Sequence, residues 1–321
     1  MIRLVNPATG LELRLSGNEL VDDAANRFPI IGGIPRICSV DNYTENFGLQ
    51  WNTFDSTQLD RSDVGLALNA ERLFRETGWK ADDLNGADIL EVGSGAGRFT
   101  RVILEQTKAR LWSVDYSNAV EANLRNNGHI APERLSIVQA SIYEMPFRDG
   151  SFDRVFCLGV LQHTPDFEAS VRALVAKARV AGEIVVDFYP IRGWWTKLNA
   201  KYLLRPMTKR MNHSRLLGLI DSNIDWLMGA HRALTRRGLG GLTRFLPVAD
   251  LRYVIPEGIS PKVGREWAVL DTFDMFSPQH DHPQRVERVA KMFRQSGATV
   301  AFAGYVDVAG ARAAVVRAFK N

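Results

Sequence analysis

Between residues 88 and 188 short apolar runs alternate with amphipathic ones. The runs 88–92, 110–114, 135–139, 154–158 and 183–188 read as strands, and the nearly continuous apolar character of several of them suits strands buried on both faces. Residues 98–106, 118–126 and 166–178 carry the helical period between them. Strand–helix alternation at this rhythm predicts an open, mostly parallel sheet with helices on both faces. The pattern stops near Pro190 and resumes with a helix at 283–296, a strand at 298–305 and a last strand at 311–319. Ahead of it, residues 2–38 read as short β segments at 3–5, 11–15 and 28–31 with turns between them. From Asn42 to Gly78 the pattern becomes helical, and Tyr43, Phe47 and Trp51 fall at i, i+4 and i+8, one face of a helix.

Composition narrows the classes. A chain of 321 residues that is 45% hydrophobic and 24% charged can bury a full core. No apolar run reaches the roughly 18 residues of a membrane span, and the first residues lack the apolar centre of a secretion signal, so a cytoplasmic location is the default expectation. Two distant cysteines, Cys38 and Cys157, exclude a disulfide framework and a four-thiolate zinc site. The net charge is only +4. It is unevenly spread: residues 191–250 hold eleven Lys and Arg against three Asp. A basic block on a near-neutral body suits an anionic partner or surface, or else a solvated helical face.

The strongest chemical signal is the turn Glu91-Val92-Gly93-Ser94-Gly95-Ala96-Gly97 between a strand and a helix. Glycines there permit positive φ and let a ligand approach the backbone, while the free N–H groups at the helix start favour an anion. A dinucleotide fingerprint would need glycine at position 98, where this chain has Arg98. The following strand ends in Asp115, where a carboxylate can accept hydrogen bonds from both ribose hydroxyls; a plain turn aspartate is the alternative. Tyr116 comes next. The third strand ends in Gln139-Ala140-Ser141-Ile142, and the fourth runs from Phe152 through Leu158 and Gly159 to His163.

As an ordered set, Glu91–Gly97, Asp115-Tyr116, Gln139–Ile142 and Phe152–His163 resemble the successive motifs of class I S-adenosylmethionine-dependent methyltransferases over residues 85–190. The resemblance implies a Rossmann-like, seven-stranded α/β sheet, mostly parallel with the last strand antiparallel. It implies S-adenosylmethionine as cofactor, with Glu91, Gly93, Gly95 and Gly97 around the methionine moiety and Asp115 on the ribose. Tyr116 and Ile142 would flank the adenine, Ser141 stands where many relatives carry aspartate, and Leu158 and Gly159 would lie beneath the sulfonium. Residues 43–60 resemble the cap segment of bacterial methyltransferases of cell-surface glycan or secondary-metabolite assembly, in which Tyr43, Phe47 and Trp51 close over the cofactor. Residues 1–38 resemble a small zinc-ribbon module, here without its paired cysteines. The expected divisions are a β module at 1–41, a helical cap at 42–84, the cofactor-binding domain at 85–190, a basic helical insert acting as acceptor lid at 191–282, and the end of the α/β domain at 283–321.

Methyl transfer needs nucleophile, carbon and sulfur in line, and a hydroxyl nucleophile also needs a proton acceptor. His163 is one candidate base, since it follows the fourth strand and its ordinary pKa is near 6.5. The stretch 271–283 supplies others, Asp271 and His280 foremost, and resembles the acceptor-facing run of the same glycan-associated enzymes. His280, Asp281 and His282 are consecutive and cannot all point one way, so no metal site is expected. The insert mixes Trp194, Trp195, Leu198, Tyr202 and Leu203 with Lys197, Lys201 and Arg205. Such a mixture suits a substrate lid, a homo-oligomer interface, a peripheral membrane contact or a lipid-linked acceptor. The expected function is methyl transfer to oxygen or nitrogen of a small-molecule or glycan-type acceptor. The alternatives are an RNA methyltransferase using the basic insert, with nucleic acid the less favoured partner, and a non-catalytic subunit of the same fold.

Overall fold

Among the described residues eleven strands form a single sheet in the order β1-β2-β3-β4-β7-β6-β5-β8-β9-β11-β10. The computed structural model describes residues 2–38, 42–60, 67–255, 258–308 and 311–321. In chain order the strands are β1 (Arg14–Ser16), β2 (Glu19–Val21), β3 (Arg27–Ile31), β4 (Ile34–Ile37), β5 (Asp88–Val92), β6 (Arg110–Asp115), β7 (Leu135–Ala140), β8 (Phe152–Cys157), β9 (Ala178–Phe188), β10 (Ala298–Val308) and β11 (Ala311–Lys320). The helices are α1 (Glu45–Thr53), α2 (Leu68–Thr77), α3 (Arg98–Gln106), α4 (Val120–Asn127), α5 (Phe167–Lys177), α6 (Ala200–Thr208), α7 (His213–Arg236), α8 (Leu251–Val254), α9 (Pro261–Phe276) and α10 (Val286–Gln295).

The expectation of seven strands is corrected here. The four N-terminal strands form an antiparallel meander, and β4 then pairs parallel to β7 through Arg36 opposite Gln139 and Ile37 opposite Ala140. Arg36 holds this seam by donating to Gln139 Oε1 (2.7 Å) and pairing with Glu121 (3.0 Å). The N-terminal segment thus extends the main sheet instead of standing apart. Its first expected strand, 3–5, supplies only single bridges, Leu4 to Phe147 and Val5 to Glu12. The helical pattern expected over 42–78 is two helices, α1 and α2, and part of it, 61–66, lies outside the described residues.

From β5 the chain steps outward through β6 and β7, then returns to place β8 and β9 on the other side of β5. All these pairings are parallel, and β11 alone runs against them between β9 and β10. The gap between β5 and β8 is the point where strand order reverses, and ligands of open α/β sheets bind beyond the carboxyl ends of the strands there. Alternating residues feed two cores. Leu90, Val114 and Val155 face α5 and α10, while Ile89, Leu111 and Phe156 face α2 and α3. Fully burying each such side chain stabilises the fold by about 1.5–3 kcal/mol.

The segment expected as a helical insert has a core of its own, with Leu216, Ile220, Ile224 and Leu227 of α7 against Val269, Phe273 and Phe276 of α9. It leaves and rejoins the sheet domain at one place. Pro190 bridges Gln284, Gln284 N–H donates to Tyr189 (3.0 Å), and His282 N–H donates to Gln162 (2.7 Å). Helix α9 starts on Ser260, whose Oγ accepts from Val263 N–H, with Pro261 at the first helical position. Among the described residues no helix is long and apolar enough to cross a membrane.

Candidate functional site

A cleft of about 980 Å³, counting its opening to solvent, lies over the carboxyl ends of β5, β6, β7 and β8. Its wall on the sheet side is the glycine turn. Gly93, Gly95 and Gly97 all have positive φ (81°, 53° and 84°), which side chains with a Cβ rarely adopt. Two of these glycines, Gly95 and Gly97, serve different ends. A Cβ on Gly95 would sit 3.1 Å from the Trp51 indole, so Gly95 keeps the channel between turn and cap open. A Cβ on Gly97 would fall 2.1 Å from Asn123 Oδ1, so Gly97 lets α4 pack and lines no part of the cleft. Asp115 closes the second side. Its Oδ2 accepts from Gly95 N–H (2.8 Å) and its Oδ1 from Ser117 N–H and Oγ–H (2.8 and 2.7 Å). Burial pushes its carboxyl above the ordinary value while these bonds to Ser117 and Gly95 pull it back.

Tyr43, Phe47, Trp51, Gly93, Gly95, Asp115, Tyr116, Ile142, Leu158, Gly159 and His163 all line the cleft. The three cap aromatics reach it from just before and within α1. Tyr43 packs edge-on against Tyr116 (5.5 Å between centroids) and His280 (5.3 Å), and Phe47 lies tilted against His163 (5.3 Å).

Glu91, Ser141, Asp271 and His280 do not line it, and each has a physical reason. Glu91 is 1% exposed and turned toward α3, where Thr100 Oγ–H and Ser113 Oγ–H (3.1 Å) donate to its Oε2. Its Oε1 is buried without a partner among the described residues, and burial raises the carboxyl to about 7. Ser141 Oγ closes its own turn by accepting from Tyr143 N–H (3.2 Å). Asp271 sits behind Gln58, whose Nε2 donates to it at 3.0 Å, and burial with the nearby Asp274 raises it to about 7. His280 meets the site through its backbone: its carbonyl lies 3.1 Å from His163 Nδ1.

That contact fixes the chemistry of His163. A carbonyl only accepts, so Nδ1 carries the proton and Nε2 keeps its lone pair. Nε2 has no hydrogen-bond partner among the described residues and the ring is 5% exposed. Burial holds the imidazole below its ordinary pKa, against the opposing pull of Asp274, so it is neutral near pH 7.

Several cleft residues were not singled out from the sequence. Asp274 lines the cleft and accepts from Tyr189 Oη–H (3.1 Å). It lies one helical turn after Asp271 on α9, so i, i+3 spacing was the signal available. Arg98 also lines the cleft, donating to Gln58 Oε1 (2.9 Å) with its guanidinium 4.7 Å from the Phe99 centroid; burial and the nearby Arg72 lower it to about 10. Asp187, at the end of β9, accepts from Gly159 N–H and from Arg72 (2.5 Å), which itself pairs with Glu76 (2.8 Å). This chain of contacts pins Gly159, at positive φ, under the cleft. Among the described residues no group of three His, Cys, Asp or Glu could hold a metal ion.

Comparison with known proteins agrees with this geometry. Residues 90–186 match the family model described as a methyltransferase domain. The chain is 27% identical over 131 residues to the tRNA U34 carboxymethyltransferase of Nautilia profundicola, covering 38% of this chain and 44% of that protein. It is 26% identical over 132 residues to methyltransferase GfsG of Streptomyces halstedii, covering 40% and 47%. The chain therefore spans less than half the length of these curated relatives. Among solved structures, a chain from the complex between the Haloferax volcanii Trm112 methyltransferase activator and the putative methyltransferase superposes with a TM-score of 0.50 at 10% identity, over 88% of this chain and 99% of that one. That likeness is one of fold. Residues 90–186 thus match a methyltransferase domain on a Rossmann-like α/β fold, and that match implies S-adenosylmethionine as the cofactor.

Proposed function

We propose that this protein transfers the methyl group of S-adenosylmethionine to an oxygen or nitrogen of a small-molecule or glycan-type acceptor. The observation that carries this reading is a cleft bounded by the glycine turn, Asp115 and the ends of four strands, with a neutral, unpartnered imidazole nitrogen in its wall. The residues present fit the cofactor. Gly95 leaves the space a side chain would fill, and Asp115 Oδ2 retains a lone pair after its bond from Gly95 N–H, while Oδ1 already accepts two bonds from Ser117. Asp115 would hold the ribose hydroxyls, Tyr116 and Ile142 the adenine, and the turn at Gly93 and Gly95 the methionine end. The cofactor supplies an activated methyl carbon on a sulfonium.

The protein's own part is positioning, water exclusion and proton handling. Tyr43, Phe47 and Trp51 cover the cleft with apolar rings. His163 Nε2 would accept the proton of a hydroxyl nucleophile, while the His280 carbonyl holds its tautomer. Asp274, anchored by Tyr189, gives the acceptor a carboxylate to bind and would stabilise the imidazolium as it forms. Calorimetry with S-adenosylmethionine and S-adenosylhomocysteine, followed by turnover on a panel of hydroxyl and amine acceptors, tests this. Binding of neither ligand would sink it.

RNA is the second reading, favoured by the names of relatives that modify tRNA and by the basic insert. Tight RNA binding with a steep salt dependence would support it over a small acceptor.

A further inference from the structure

The helical lobe between residues 191 and 282 carries an outer surface that the cleft does not use. Of the sixteen exposed large apolar side chains among the described residues, ten lie between Trp195 and Tyr253. They are ordered by the local helices. On α6 the inner face is pinned to the end of α9 by Arg205, which donates to the Pro278 carbonyl (2.7 Å), and by Thr208, which donates to that of Phe276 (3.0 Å). This turns Leu203 and Met207 outward, each 62% exposed and one helical turn apart. In the 3₁₀ segment Gly240–Phe245 and the residue before it, Leu239, Leu242 and Phe245 recur every three positions, which is one edge of a three-residue turn. Arg244 donates to the Trp195 carbonyl, joining this edge to the turn Trp194–Lys197 from which α6 continues.

Cations accompany these side chains. Lys197, Lys209, Arg210, Arg236 and Arg237 are exposed, and none pairs with a carboxylate among the described residues. The only acids from 194 to 245 are Asp221 and Asp225, and both are taken by Arg265 (2.6 and 3.1 Å). Exposed aliphatic and aromatic side chains interspersed along the chain with cations that pair with no carboxylate among the described residues match one kind of partner in both respects, a lipid surface with anionic headgroups. A second copy of the chain would bring like charges face to face. Nucleic acid would use the cations but gain little from Leu203, Met207 and Leu242, which offer no stacking surface.

We infer that the α6 face and the edge of Gly240–Phe245 dock this protein on an anionic bilayer. The geometry also sets which side of the molecule meets the lipid. Trp195 shares a groove with Lys201, Tyr202 and Tyr189, and Tyr189 is one hydrogen bond from Asp274 in the cleft. Resting on the proposed function, in which Asp274 meets the acceptor, the docked face connects through Trp195 and this groove to the acceptor end of the cleft. Each cation near the surface strengthens binding by about fivefold at low salt.

The test is sedimentation of the full chain with vesicles of phosphatidylcholine, with and without one-third phosphatidylglycerol, at low and high salt. The full chain pellets with the anionic vesicles, and salt weakens it. The double variant Leu203→Glu, Met207→Glu and the single variant Phe245→Glu each lower partitioning by roughly tenfold or more. The substituted side chains are exposed, so far-UV circular dichroism and S-adenosylmethionine affinity stay unchanged in both, which separates a docking failure from a folding failure. Failure to pellet with either vesicle, or pelleting of the variants like the parent, overturns the inference. So does light scattering that shows a dimer broken by the same substitutions with no lipid binding.

Discussion

Replacing Glu91 by Gln separates a structural carboxyl from one that touches cofactor. Glu91 lies under the glycine turn with Oε2 bonded by Thr100 and Ser113 and Oε1 buried without a partner among the described residues. Burial raises its pKa from 4.5 to about 7. An acid whose folded pKa is raised stabilises the fold fully below its unfolded pKa, and that stability is lost as pH rises toward the folded value. At about 1.4 kcal/mol per unit, the shift corresponds to roughly 3 kcal/mol lost between pH 4.5 and 7 and absent above it. Gln has the same shape and nothing to ionise. The difference between variant and parent should therefore be small at pH 4.5 and grow in favour of the variant by about 3 kcal/mol at pH 8, roughly 6 °C in melting temperature. Thermal or urea melts of both proteins across this range read it directly. A constant difference at all pH values would refute the buried, protonated Glu91, and a large loss of S-adenosylmethionine affinity in the variant would return it to the cofactor site.

Other substitutions probe other parts of the account. Gly97→Ala should cost about 3 kcal/mol or more, because a Cβ at positive φ would meet Asn123 Oδ1 at 2.1 Å; a melting temperature unchanged within error would contradict the packing. Arg72→Met leaves Glu76 and Asp187 buried without their cation and should destabilise by about 3–5 kcal/mol in urea melts; near-parental stability would show that the pair is not what holds Gly159. His163→Ala should lower kcat by roughly 10²–10⁴ for a hydroxyl acceptor with S-adenosylmethionine affinity unchanged, and an unaffected kcat removes the base assignment. Since burial lowers the His163 pKa, the parental rate should be flat near pH 7 and fall only below the ordinary value of 6.5; an acid limb above pH 7 would contradict this.

The α/β domain was legible because its strands are apolar runs bounded by glycine and aspartate turns. The helix expected at 98–106 is α3 to the residue, and β5 through β9 lie within a few residues of their expected bounds. The joining of the N-terminal strands to the sheet was not legible. It depends on Arg36 meeting Gln139 and Glu121 across 103 and 85 positions, and no local period encodes such a contact. The polar run 271–283 shows a second limit. Its composition suggested a catalytic cluster, but α9 persists to Phe276, so Asp274 alone reaches the cleft while Asp271 turns behind Gln58. His280, in the extended segment beyond, acts through a backbone carbonyl that no residue type announces. The placing of Glu91 away from the cleft has a related reason. Strand alternation sends it to the α3 side, although its neighbours in the motif border the cleft.

The central claim is that the cleft holds S-adenosylmethionine with Asp115 on the ribose. Calorimetric titration of the parent and of Asp115→Ala with S-adenosylmethionine tests it most directly. One charge-assisted hydrogen bond to the free lone pair of Oδ2 is at stake, so the parent should bind and the variant should lose about 1.5–3 kcal/mol, a tenfold or greater drop in affinity. Equal affinity in the two proteins, or no binding by the parent, would contradict the account.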